Sequence, residues 1–136
     1  MADLSITAAN VVAGSGAQQE PGVAGVAIAA GQWVYLDPTD SKYKLADNDS
    51  PTAAARSPRG IALNSAAANQ PLAIARSGPV TLGSGFTPGL AYYLSATAGG
   101  MCPVADLGTG KTATLLGMFT SATSFKIAIQ ESGVTL

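Results

Sequence analysis

Histidine is absent from the 136 residues, and cysteine occurs once, at Cys102. The first absence removes the usual general base and the commonest metal ligand. The second excludes an intrachain disulfide and thiol-rich metal sites, leaving Cys102 as a buried, inert thiol. Charge is also scarce, at 11% with a net of -1. Without a basic excess the chain cannot track a phosphate backbone, so no nucleic-acid partner is expected. Arg56, Arg59 and Arg76 are scattered and read as solvated or partner-facing side chains. No run approaches the ~18 apolar residues of a membrane helix, so no membrane partner is expected. Asp3 stands where a secretory signal carries positive charge, which points to a product that stays on the cytosolic side until something larger carries it out.

Aromatic residues make up only 6%, and Ala is the largest part of the 47% apolar fraction. A methyl group buries little area, so partners or self-association are expected to supply part of the burial. The length suits one domain with a real core.

Gly and Pro recur throughout and bound short apolar stretches, the spacing of an all-β domain. The expected strands are GVAIAA (25–30), QWVYL (32–36), KYKLA (42–46), GIALN (60–64), LAIAR (72–76), GLAYYLS (89–95), KTATLLGMF (111–119) and SFKIAIQ (124–130). In the last, Phe125, Ile127 and Ile129 share one face, which suggests a sheet with one wet side. The only helical signal is Ser50-Pro51, and Pro58 limits it to a short turn.

An internal repeat organises these strands. GQWVYLDPTDSKYKLAD (31–47) lines up with GLAYYLSATAGGMCPVAD (89–106), and RGIALNSAAANQPLAIARSG (59–78) with LGMFTSATSFKIAIQESG (116–133). Each unit is two hairpins, and neither can bury a sheet face alone. The fold expected is a small β-barrel or β-sandwich built from two similar hairpin-rich halves. Residues 25–136 form this single β domain, with the repeat at 31–78 and 89–133, and residues 1–24 an extended N-terminal arm.

The stretch ADLGTGKT (105–112) matches the loose P-loop pattern through Ala105, Gly110, Lys111 and Thr112. A phosphate-binding loop must leave a buried parallel strand and open a helix. Here Pro103 interrupts what precedes it, and TATLLGMF disfavours a helix after it. The repeat places a polar connector at this position, so it reads as a glycine-rich β turn.

Asp3, Glu20, Asp37, Asp40, Asp47, Asp49, Asp106 and Glu131 lie almost all beside Gly, Pro, Ser or Asn, where Asp bonds its own backbone. The cluster DPTDSKYKLADND (37–49) could hold a cation weakly, but it lacks the EF-hand order and Lys42 and Lys44 reduce its field. Ser41-x-x-Lys44 falls in a hairpin turn, without the helix that serine-lysine chemistry needs. No catalytic, cofactor or metal residues are assigned, and the chain reads as a non-enzyme. Trp33 with Tyr35, and Tyr92 with Tyr93, fill a core or a subunit interface, or else form a ligand-stacking platform.

RGIALNSAAANQPLAIARSG (59–78), together with GLAYYLSATAGGMCPVAD and the closing strand up to ESGVTL, resembles small tailed-bacteriophage virion proteins of the capsid decoration, or cement, type. The opening ADLSITAANVVAGSGA and AGVAIAAGQWVYLD fit the same group, although Asn69 stands where it often has Gly. The resemblance implies a non-catalytic protein on the capsid surface of the virion, made in the host bacterial cytoplasm. Its implied partners are the major capsid protein and itself, with a trimer favoured and a dimer possible. The candidate interface residues are Trp33, Tyr35, Arg59, Arg76, Tyr92 and Tyr93. The YYLS-TAGG style also occurs in phage tail-fibre and baseplate segments, which implies the alternative of a module binding host-surface carbohydrate through the four aromatics.

Overall fold

A computed structural model of the protein describes Leu4 and residues 6–136. It is all-β, as expected: ten strands joined by turns and three short 3₁₀ turns among the described residues. The strands are β1 (Val12–Ala13), β2 (Gln18–Val23), β3 (Trp33–Asp37), β4 (Lys42–Leu45), β5 (Gly60–Ala62), β6 (Pro71–Thr81), β7 (Ala91–Leu94), β8 (Met101–Cys102), β9 (Thr112–Phe119) and β10 (Ser124–Thr135).

They form one curled antiparallel sheet in the order β4-β3-β5-β6-β10-β9-β7-β8, with β1 and β2 added to β6. That order reads the same from either end once β3 to β6 are matched with β7 to β10. β6 is interior at two places: Ile74 and Ala75 pair with both β5 and β2, while Val80 and Thr81 pair with both β1 and β10. The curl carries the chain after β2 round to β4, where Ala24 makes a parallel bridge to Tyr43 and the Gly25 amide donates to the Tyr43 carbonyl at 2.7 Å.

Strand alternation sorts the apolar residues into two cores. Trp33, Ile61, Leu94, Leu116, Phe119 and Phe125 are fully buried in the larger one. Val34, Ala62, Leu72 and Ile74, one residue out of step with their neighbours, enter the smaller core with Ala24 and Tyr43. The sheet of the first half is therefore apolar on both faces. In β10 the expected face is the buried one, with Phe125 and Ile127 inside and Lys126 exposed.

Two expectations are corrected. Residues 25–30 form no strand; beyond the Gly25 bond to Tyr43 they make only the isolated Ile28–Ala66 bridge, since the alanines there lack the bulk that holds a ladder. The N-terminal segment is extended, but from Val12 to Val23 it pairs with β6 of its own chain. Residues 1–3 and 5 of the expected arm lie outside the described residues.

Glycine permits two close approaches. A Cβ on Gly60 would stand 2.3 Å from the Ala75 carbonyl oxygen, and one on Gly117 2.0 Å from that of Lys126. These two glycines occupy matching places in the two repeats.

Candidate interaction surface

The Gly-rich stretch around Lys111 is a turn, as its sequence indicates. The Lys111 amide bonds the Gly108 carbonyl at 3.2 Å, Gly110 takes φ +85°, and Thr112 opens β9 in place of a helix. The Lys111 ammonium is held by Asp49 at 2.6 Å.

The aromatic residues separate. Trp33 is fully buried, edge-on to Phe125 at 6.0 Å between centroids, and its indole N–H donates to the Met101 sulfur at 3.0 Å. Tyr35 and Tyr92 are also buried, and Tyr92 meets Phe119 edge-on. Tyr93 is half-buried. This corrects the assignment of Trp33, Tyr35 and Tyr92 as interface residues: their rings fill the core, and no stacking platform of the four exists at the surface.

Arg59 and Arg76, far apart in sequence, converge on Glu20. Arg59 donates from Nε to Oε2 at 2.6 Å and from Nη2 to Oε1 at 2.8 Å, the Tyr43 hydroxyl also donates to Oε2, and Arg76 Nη1 stands 3.7 Å from Oε1. The bond from Arg59 holds the Glu20 carboxyl down at about 2, against the opposing effect of burial. Burial, and the bond to Glu20, push the Tyr43 hydroxyl up to about 12. Sequence reasoning missed this group, because Glu20 sits in QQEPG, which has the composition of a turn, yet it lies in β2 opposite Ile74. The pairing of β2 with β6 brings Glu20 beside Arg76, and the pairing of β5 with β6 brings Arg59 to the same place.

The carboxylates of the 37–49 cluster are committed locally. Asp37 accepts from the Thr39 amide and hydroxyl and from Lys44 at 2.7 Å, and the Lys44 bond lowers its carboxyl to about 2. Asp47 accepts from the Asp49 amide, and Asp49 pairs with Lys111. Among the described residues no group of three acidic or thiol side chains is placed to hold a metal ion.

The Glu20 group forms one wall of a cleft of about 820 Å³, which Gln18, Gln19 and Ser77 also line. Ala128, Ile129 and Glu131 of β10 line it as well, and Ser57 Oγ donates to Glu131 Oε1 at 2.6 Å. Outside the cleft, Ala91, Met118, Lys126 and Pro79 stand in one row across β7, β9, β10 and β6, with Met118 exposed. This row carries a single charge. No family model matches the chain, and no curated protein matches it.

Proposed function

We propose that this is a structural virion protein of a tailed bacteriophage that binds the outer surface of the capsid and stabilises the shell by bridging major capsid protein subunits. The observation that carries the reading is how its polar groups are used. Glu20, Asp37, Asp49 and Glu131 are each bound by a basic side chain or a hydroxyl of their own chain, which leaves no free acid–base pair among them. What the surface offers a partner is shape and apolar contact: Met118, Leu90, Val104, Val134 and Leu136 are exposed. A compact body with a curled sheet and interlocked ion pairs suits a clamp, which must resist strain without changing shape. The resemblance of residues 59–78 and 89–133 to cement proteins supports the same conclusion. The carbohydrate-binding alternative loses its support, because the ring it depends on most, Trp33, is inside the core.

The test is co-sedimentation of the purified protein with assembled phage shells and with unassembled capsid subunits. Retention on shells alone is expected, since the site would span subunits. A protein that ignores every shell, or binds free subunits equally, would sink the reading.

A further inference from the structure

The two halves of the sheet differ at one place. β6 has a strand on each side at Ile74–Ala75, from β5 and β2, and again at Val80–Thr81, from β10 and β1. Its counterpart β10 pairs with β6 only through Ser124–Ile127, and beyond that with β9 alone. From Ala128 onward one ladder edge of β10 has no strand beside it among the described residues, and this edge faces the 820 Å³ cleft through Ala128, Ile129 and Glu131.

We infer that this cleft is the docking site for an extended segment of another polypeptide, which adds a strand to β10 at Ala128–Glu131 and places an acidic side chain against Arg76. Four residues present about 13 Å of edge at ~3.3 Å each, enough for main-chain pairing to supply affinity while one or two side chains supply specificity. The charge preference comes from the opposite wall. Both oxygens of Glu20 are taken by Arg59 at 2.6 and 2.8 Å, so Arg76, at 3.7 Å, keeps donors free, and its side chain is 48% exposed. Gln18 and Gln19 add amides that suit a polar backbone.

The open run is short by construction. A register shift precedes Gln130, another follows Glu131, and the Val134 amide is occupied by Ser132 Oγ at 3.0 Å. Such irregularities keep an exposed edge from templating indefinite pairing, while leaving a site for one short segment. The inference rests on the shell-binding reading only for which protein supplies the segment.

The experiment selects capped random octapeptides on the immobilised full-length chain and maps the bound peptides by amide hydrogen exchange. Enrichment of sequences with an Asp or Glu and protection of the amides at 128–131 are expected. Arg76→Gln should weaken the selected peptides by about ten-fold, the scale of one charge-assisted bond. Arg76→Glu should turn the preference to Lys or Arg, with the near-ultraviolet signal of Trp33 reporting that both variants fold. Absence of enrichment, no acidic preference, or protection away from β10 would overturn the inference. The same exchange measurement on shell-bound protein separates the two proposals. Binding to shells without protection at 128–131 refutes the docking site and leaves the shell reading intact; acid-selective peptide binding without shell binding does the reverse.

Discussion

Arg59 and Glu20 meet in a two-point contact, 2.6 and 2.8 Å, that ties the start of β5 to the middle of β2. It adds a side-chain link to the ladder that pairs the N-terminal segment with β6. Tyr43 reinforces it from β4.

A pH dependence follows from this contact. The Glu20 carboxyl is lowered from 4.5 to about 2, so its charged form is the one that folding favours. The stability it supplies is complete above pH 4.5 and is lost as pH falls towards 2. Glu20→Gln should cost about 1–2 kcal/mol near neutrality, a figure that allows for the partial exposure of the pair. The variant should also lose less stability than the parent between pH 4.5 and 2. Urea unfolding at a series of pH values measures both; parallel curves for the two proteins would refute the assignment.

The core position of Trp33 makes a second prediction. Trp33→Ala removes a fully buried ring that touches Phe125 and leaves only the Met101 thioether, a weak acceptor, without its donor, so about 3–5 kcal/mol should be lost, mainly through cavity formation. Trp33→Phe should cost less. If Trp33→Ala instead leaves the unfolding midpoint in place, the ring is not where the structure puts it.

Gly60 and Gly117 allow matched backbone contacts, and each should resist substitution. Gly117→Ala brings a Cβ to 2.0 Å from a carbonyl oxygen at φ +150°, and Gly60→Ala one to 2.3 Å. Backbone must move in both, at a cost of about 2–4 kcal/mol. Gly108→Ala, with nothing within 4 Å, is the control and should change stability by less than about 0.5 kcal/mol. Denaturant midpoints of the three variants decide the matter.

Lys111 belongs to a turn, so Lys111→Ala should abolish no nucleotide affinity, because none is expected of the parent protein. Its effect should be the loss of one surface pair with Asp49, at most about 1 kcal/mol and smaller in high salt. Calorimetric titration with ATP and GTP, alongside thermal melts at two salt concentrations, tests both halves of the statement.

What could be read from the chain was what periodicity and turn chemistry encode. The alternation in SFKIAIQ named the buried face of β10, and the Gly and Pro punctuation located eight stretches, seven of which became strands. β2 escaped because QQEPGV has no apolar period; it is a strand only because β6 offers it a ladder, and Pro21 is tolerated there opposite Ala73. The converse error, a strand at 25–30, has the same origin, since alternating Val, Ile and Ala mimic a strand without guaranteeing a partner. For the candidate site, the residue types of Arg59 and Arg76 were legible and their convergence was not. Glu20 is 39 residues from Arg59, and it takes the pairing of both β2 and β5 with β6 to bring them together.

Asn48 joins the two repeats and gives the last prediction. Its buried side chain donates to the Leu94 carbonyl at 2.8 Å, its amide to the Ser95 carbonyl at 3.1 Å, and its own carbonyl accepts from the Thr112 amide at 3.0 Å. The connector after β4 is thereby stitched to β7 and β9 of the other half. Asn48→Ala would leave the Leu94 carbonyl buried without its donor, a cost of about 1–3 kcal/mol. Asn48→Asp should be worse, because a carboxylate can donate nothing to that carbonyl and must carry its charge into a site only 1% exposed. Raising the acidity should narrow the gap between the two variants, since a protonated carboxyl can donate again. Equal stability of the Ala and Asp forms at neutral pH would show that this side chain does not hold the halves together.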